Sequence, residues 1–160
     1  LKKWRIEFMK LLIQRVKEAS VTVDGVVTGS VGHGSLVFVG VSEKDTTEIA
    51  DKMIDKMVKL RIFEDENGKT NKAIADAGGN FLVVSQFTLY ADCRKGNRPS
   101  FGKAGNPQIA NELYEYVLKT LRERGFEVGA GVFGADMKVS LVNDGPFTVM
   151  LDSEEIVRKL

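Results

Sequence analysis

Runs of β-prone residues broken by turn signals, and two separate stretches with helical spacing, predict an α+β fold: a curved, antiparallel-rich sheet or β-barrel with two covering helices. With 160 residues, 43% of them hydrophobic and 28% charged, the chain can bury one proper core and is too short to need two. Residues 9–160 therefore read as a single domain. Residues 1–8 read as an N-terminal extension or extraneous segment, with Met9 as the alternative start. A genuine strand stays open there, because Trp4, Ile6 and Phe8 alternate with Arg5 and Glu7.

From Leu11 to Ser42 the sequence is rich in Val, Ile and Thr and lacks a helical period, which reads as a meander of short strands. Asp24-Gly25 between two β-prone triplets is a two-residue hairpin signal, since both central positions of a type I′ turn need positive φ. Asp45 with Glu48 three residues on resembles a capping box, and Ile49, Met53, Met57 and Leu60 follow at helical spacing. A strand is expected at Arg61 to Phe63, a turn at Asn67-Gly68, and another strand in the apolar run Phe81 to Ser85. Asn106 as cap, Pro107 at the first helical position, apolar residues from Ile109 to Leu121 and Gly125 as stop define the second helix. Strands are expected near Phe126 to Val128, Met137 to Val142 and Phe147 to Leu151, with a turn between the last two.

Several function classes are disfavoured by the bulk numbers. No apolar run approaches the roughly eighteen residues of a spanning helix, and no secretion signal precedes Met9, so neither a membrane nor an export route is expected. Cys93 is the lone cysteine and His33 the lone histidine, too few ligands for a Cys/His zinc site. A cytoplasmic, metal-independent and cofactor-free protein is the expectation. Lys plus Arg minus Asp plus Glu is 23 − 22 = +1, far from the basic excess of a DNA coat, so no DNA partner is expected and any nucleic-acid contact must use local patches.

Two segments could carry chemistry. Ser85-Gln86-Phe87-Thr88-Leu89 lies where an apolar strand gains hydroxyl and amide groups before a Gly-, Pro- and Arg-containing loop. Such a strand end can aim backbone N–H groups at one point as an oxyanion hole; equally, Ser85 and Thr88 fit as ordinary strand residues. Asn143-Asp144-Gly145-Pro146 follows an alternating apolar run, and a proline after glycine can take a cis bond that turns consecutive carbonyls one way. A plain inter-strand turn explains it as well.

Together these segments resemble the two signature motifs of the D-aminoacyl-tRNA deacylase family, in the family's order and at a similar separation. Leu12-Ile13-Gln14-Arg15-Val16, Arg98-Pro99-Ser100-Phe101 and Ala135-Asp136-Met137 also look like family segments, so the resemblance spans Met9 to Leu151. It implies a deacylase-like barrel that works as a homodimer on D-aminoacyl-tRNA, with active sites at the interface. Ser85, Gln86, Phe87 and Thr88 of one subunit would form the catalytic segment. Gly145 and Pro146 of the partner, with Met137, would handle substrate binding and chiral selectivity. A carbonyl wall there leaves room for hydrogen or a D-side chain and collides with an L-side chain, so L-aminoacyl groups are excluded and glycine on tRNA is also accepted. Arg15 is expected to support the Gly145-Pro146 turn that crosses to the partner.

The activated ester of an aminoacyl-tRNA asks little of acid/base side chains, which suits a candidate site without histidine, cysteine or paired carboxylates. Backbone N–H groups around Phe87 and Thr88, with a neighbouring ribose hydroxyl assisting water, are preferred to Thr88 as nucleophile, since a threonine without a base attacks poorly. Arg94, Lys95, Arg98 and Lys103 share one loop opposed by Asp92 alone and are the expected tRNA-binding residues. Two rival readings remain: a general serine or threonine esterase using Ser85 or Thr88, and a noncatalytic nucleic-acid-binding barrel using the basic loop.

Overall fold

In a computed structural model, residues 8–157 are described; the expected strand or extraneous segment before Phe8 lies outside them. The chain runs through β1 (Lys10–Val23), β2 (Val26–Val31), β3 (Gly34–Gly40), α1 (Thr47–Lys59), β4 (Phe63–Glu64), β5 (Thr70–Lys72), β6 (Asn80–Ser85), a 3-10 turn (Phe87–Tyr90), α2 (Pro107–Glu123), β7 (Val128–Ala130), β8 (Lys138–Asp152) and α3 (Ser153–Val157). One edge of β1 pairs with β8 along nearly its whole length. The other edge pairs with β3 in its first half and β2 in its second. These pairs are antiparallel, whereas β3–β6 and β6–β7 are parallel, so the sheet is mixed.

Parallel neighbours need crossover connections, and the two crossovers contain α1 and α2. Both helices cover the same face. Alternation along the strands splits the apolar side chains accordingly. Val37, Val39, Phe81 and Val83 pack under the helices with Met53, Met57, Leu113 and Val117. Leu36, Leu82 and Val84 instead meet Val16 and Val21 inside the curve of the sheet. The curve nearly closes where β2 passes β7. A Cβ on Gly129 would lie 2.5 Å from the carbonyl oxygen of Ser30, so only a glycine lets the two backbones approach this closely.

The Asp24-Gly25 turn forms as expected, with φ of 49° and 79°. So does the cap of α2, where the Asn106 side chain accepts from the Ile109 N–H ahead of Pro107. Three expectations change. The cap of α1 is Thr46, not Asp45, because Asp45 is buried and takes hydrogen bonds from the Met9 and Ser42 N–H groups instead. The strands foreseen at Arg61 to Phe63 and Phe126 to Val128 are displaced to β4 and β7. The two strands foreseen on either side of Asn143 to Pro146 are one continuous strand, β8. Asn143 pairs with Val16 and Thr148 with Gln14, so four residues of β8 bulge out against Arg15 alone.

Candidate active site

The first signature begins where β6 ends. Ser85 pairs with Val39, and the Gln86 N–H donates to the Val39 carbonyl at 2.8 Å. The backbone then tightens into the 3-10 turn, so Phe87 and Thr88 are turn residues, not strand residues. Phe87 is 56% exposed and meets Phe101 edge to face at a centroid distance of 5.0 Å. Ser85, Gln86 and Phe87 line a cleft of about 610 Å³ together with Phe101, Phe133 and Met137. The cleft is walled largely by apolar side chains, with Asp136 the one ionisable residue on its wall. Another hollow of similar volume lies among Lys52, Lys59, Asp55 and Arg124 of the helices, whose charges are partly paired with one another, and it holds no signature residue.

Thr88 does not line the cleft. Its hydroxyl oxygen accepts from the Gln86 side-chain amide, a neutral group that cannot take up a proton. His33 sits in the bend just before β3 with its ring against Phe63, 5.5 Å between centroids, while Ser85 pairs near the end of β3. Cys93 is exposed in the loop beyond the turn. Among the described residues, no histidine or cysteine is therefore placed to activate Ser85 or Thr88, and no group of three or more metal-ligating side chains occurs.

The second signature is the bulge of β8. Gly145 has φ +135°, and the Gly145–Pro146 bond is cis. A Cβ at Gly145 would lie 2.9 Å from the Arg15 Nη2 and 3.1 Å from the Phe147 N. Arg15 is 4% exposed. Its Nε donates to the Asp144 carbonyl at 2.8 Å and its Nη1 to the Ile62 carbonyl at 2.7 Å. The Asp144 carboxylate stands 3.7 Å away, that of Glu64 3.9 Å, and the guanidinium lies over the Phe147 ring. Arg15 thus holds the turn of its own chain.

Within one chain the two signatures are far apart. The bulge lies opposite Arg15, which pairs with Ser35, whereas Ser85 pairs with Val39. Four residues of β3 separate those levels, on the order of 13 Å along the strands, and β1 and β3 lie between β8 and β6 in the sheet. Met137, by contrast, shares the cleft of the first signature. A Cβ on Gly131 would lie 2.5 Å from the Met137 sulfur, so the bare backbone there makes room for the methionine.

The basic loop adjoins the cleft. Asp92 and Ser100 pair backbone to backbone at its neck, and Ser100 precedes the cleft residue Phe101. Arg94, Lys95 and Arg98 line a hollow of about 670 Å³ with Asp92 and Ser100. Arg94 grips Asp92 through two bonds, Nε to Oδ1 at 2.9 Å and Nη2 to Oδ2 at 2.7 Å. That guanidinium holds the Asp92 carboxyl well below the usual carboxylate range, and Lys103 adds to the effect. Sequence reasoning missed the far wall of the cleft, around Phe133 and Gly134, whose turn residues carry no chemical signal of their own.

A small curved barrel with an apolar cleft at the mouth of a backbone turn is an architecture shared with known proteins. Residues 12–152 match the family model described as D-Tyr-tRNA(Tyr) deacylase. A D-aminoacyl-tRNA deacylase of Anaeromyxobacter dehalogenans (strain 2CP-C) is 55% identical over 148 residues, covering 92% of this chain and 99% of that one. One of Clostridioides difficile (strain 630) is 51% identical over 147 residues, with the same coverages. The solved structure of a c-Myc DNA Unwinding Element Binding Protein superposes with a TM-score of 0.83 at 40% identity, covering 89% of this chain and 97% of that one. That of a probable eukaryotic D-amino acid tRNA deacylase shares the fold at a TM-score of 0.77 and 17% identity, covering 90% and 98%. The chain belongs to the D-aminoacyl-tRNA deacylase family.

Proposed function

We propose that this protein hydrolyses the ester joining a D-amino acid to tRNA and so removes wrongly charged D-residues before they reach translation. The observation that carries the reading is the Phe87–Tyr90 turn, with Phe87 and Thr88 exposed, at the mouth of a largely apolar cleft that has neither histidine nor cysteine on its wall and Asp136 as its one carboxylate. Water adds to the ester carbonyl, and the Phe87 and Thr88 N–H groups stabilise the negative oxygen. The bond to the ribose oxygen then breaks, giving a free amino acid and a tRNA hydroxyl. A donor of this kind is worth about 3–4 kcal/mol in the transition state, and the ribose hydroxyl beside the ester supplies the help that a histidine would give elsewhere.

The protein acts as a homodimer in the cytoplasm. Supporting the dimer is the separation of the two signatures within one chain, which leaves the Gly145-Pro146 bulge too far from its own cleft to meet the same aminoacyl group. Supplied by the partner, Gly145 and Pro146 face the substrate amino group and exclude an L-side chain, while glycine on tRNA enters. Arg94, Lys95, Arg98 and Lys103 meet phosphates of the acceptor end, and Met137 lies against the substrate in the cleft.

A noncatalytic nucleic-acid-binding role is the second reading, favoured by the basic depression and by the 40% identity to a protein named for binding a DNA unwinding element. Release of amino acid from D-tyrosyl-tRNA, beside L-tyrosyl-tRNA and a simple ester, separates the readings. Hydrolysis of the D-substrate alone is the expected result. Equal hydrolysis of the simple ester points to a general esterase, and binding without release points to the nucleic-acid reading. Specific activity that survives dilution to a monomer, followed by sedimentation, excludes the shared site.

A further inference from the structure

We propose that Tyr90 is a positioning residue for this reaction: its buried ring and hydroxyl strap the Phe87–Tyr90 turn to the end of β3 and thereby fix where the Phe87 and Thr88 N–H groups point. The inference rests on the reading that those groups meet the developing oxyanion. Phe87 and Thr88 are exposed, and their side chains meet Phe101 of the following loop and Gln86 of the turn itself, neither of which ties them to the strands of the barrel. The hydrogen bonds within and just after the turn, Leu89 N–H to Gln86 O at 3.4 Å and Ala91 N–H to Thr88 O at 3.1 Å, are local and do not fix it to the barrel.

Two attachments do. At the start of the turn the Gln86 N–H donates to the Val39 carbonyl at 2.8 Å. At its end Tyr90, only 2% exposed, directs its hydroxyl at the next carbonyl of the same strand, Gly40 O, at 2.9 Å. The Phe8 carbonyl lies closer still, at 2.6 Å, so the single hydroxyl proton is shared between two backbone carbonyls that flank it, and the Lys10 ammonium sits 5.1 Å from the ring centroid. Gly40 is shaped for this contact. A Cβ there would come within 2.9 Å of Tyr90 Cε2 and 3.3 Å of Leu89 Cβ, so the ring seats against bare backbone. The turn is therefore held at both ends by consecutive residues of one strand, and loosening one end lets the donors swing.

Positioning errors near 1 Å cost about a hundredfold in rate, so a partial swing costs about tenfold or more. The test compares Tyr90→Phe with Tyr114→Phe, a similarly buried tyrosine whose hydroxyl bonds the Val83 carbonyl at 2.7 Å from α2. Tyr90→Phe is expected to lower kcat on D-tyrosyl-tRNA about tenfold or more with KM within about twofold, while Tyr114→Phe lowers the unfolding midpoint and leaves kcat within about twofold. Gly40→Ala, which pushes the ring out of its seat, should reproduce the kcat loss. A Tyr90→Phe kcat no lower than that of Tyr114→Phe overturns the proposal.

Amide exchange reads the strap without any turnover. The Leu89 and Ala91 amides should exchange about tenfold faster or more in Tyr90→Phe and not in Tyr114→Phe. Unchanged exchange overturns the anchoring role even in an active enzyme. A wild-type protein that leaves D-tyrosyl-tRNA intact overturns the functional reading instead, and the exchange result still decides the fate of the strap.

Discussion

The Nε of Arg15 donates to the carbonyl oxygen of Asp144 at 2.8 Å, tying the first strand of the barrel to the bulge of the last. The other arm of the guanidinium holds the Ile62 carbonyl, so one planar fork spans two backbone segments. Lysine offers a single compact donor group and cannot make both bonds in that geometry. Arg15→Lys should destabilise the protein by about 1–3 kcal/mol, the cost of an unpaired buried acceptor. D-substrate hydrolysis should fall by about tenfold or more as the bulge loosens. Urea unfolding and initial rates measured on one preparation check both effects, and an unchanged rate detaches Arg15 from the active site.

Thr88→Ala should keep its rate on D-tyrosyl-tRNA within about threefold, because the proposed donor is a backbone N–H that survives loss of the side chain. Ser85→Ala should behave alike. Loss on the order of a thousandfold in a folded Thr88→Ala protein, or an acyl group trapped on Thr88 in the wild type, makes the hydroxyl the nucleophile.

Lys95→Ala and Arg98→Ala should raise KM for charged tRNA while leaving kcat nearly unchanged. Each should also flatten the dependence of log affinity on log salt by roughly 0.7–0.9 per charge removed. Titrations across a salt series read the slope directly. A slope equal to that of the wild type places the phosphates elsewhere on the surface.

Asp45 should give the fold a distinct pH dependence. Burial raises its carboxyl from 3.8 to about 6, against the pull of the Ser42 and Met9 N–H bonds, with the Asp152 charge adding to the rise. A folded-state pKa above the unfolded one means that the native state binds the extra proton. Its stabilisation is full below about pH 4 and is lost as pH climbs through 6, an effect on the order of 2–3 kcal/mol. Relative to Asp45→Asn, which carries no titrating group there, the wild type should therefore lose stability between pH 4 and pH 6. Denaturant midpoints of the two proteins across that window test the sign, and a flat difference shows that the carboxyl is not raised.

Elements with local causes were legible in the sequence. Asn106-Pro107 and Gly125 delimit α2, and Asp24-Gly25 makes its turn, because each depends on the φ preferences or cap chemistry of adjacent residues. Asp45 misled because a carboxylate ahead of a helix looks like a cap, and only the folded chain brings Met9 to it across 36 residues. The break foreseen inside β8 failed for a related reason. Gly145-Pro146 is a turn signal locally, but pairing of both flanks with β1 carries the strand through it. Of the candidate site, the segments themselves could be picked out. That Thr88 faces Gln86 and not the cleft, and that Tyr90 reaches Gly40, are long-range outcomes with no period or motif to announce them.

The β8 bulge also bears on how the barrel can be re-engineered. Asn143 and Thr148 are locked to Val16 and Gln14, so the four residues between them form a cassette whose ends are set by the sheet. Changes of sequence or length inside the cassette leave the inward-outward alternation on both flanks intact. A residue added one position outside it would turn a whole flank over and expose its apolar face. Variation at this edge is thus channelled into a short insert constrained by Arg15 and by the packing of Phe147 on the core. Libraries at Asp144 and Pro146, with Arg15, Gly145 and Phe147 retained, would sample new rim shapes while keeping the contacts that seat the bulge.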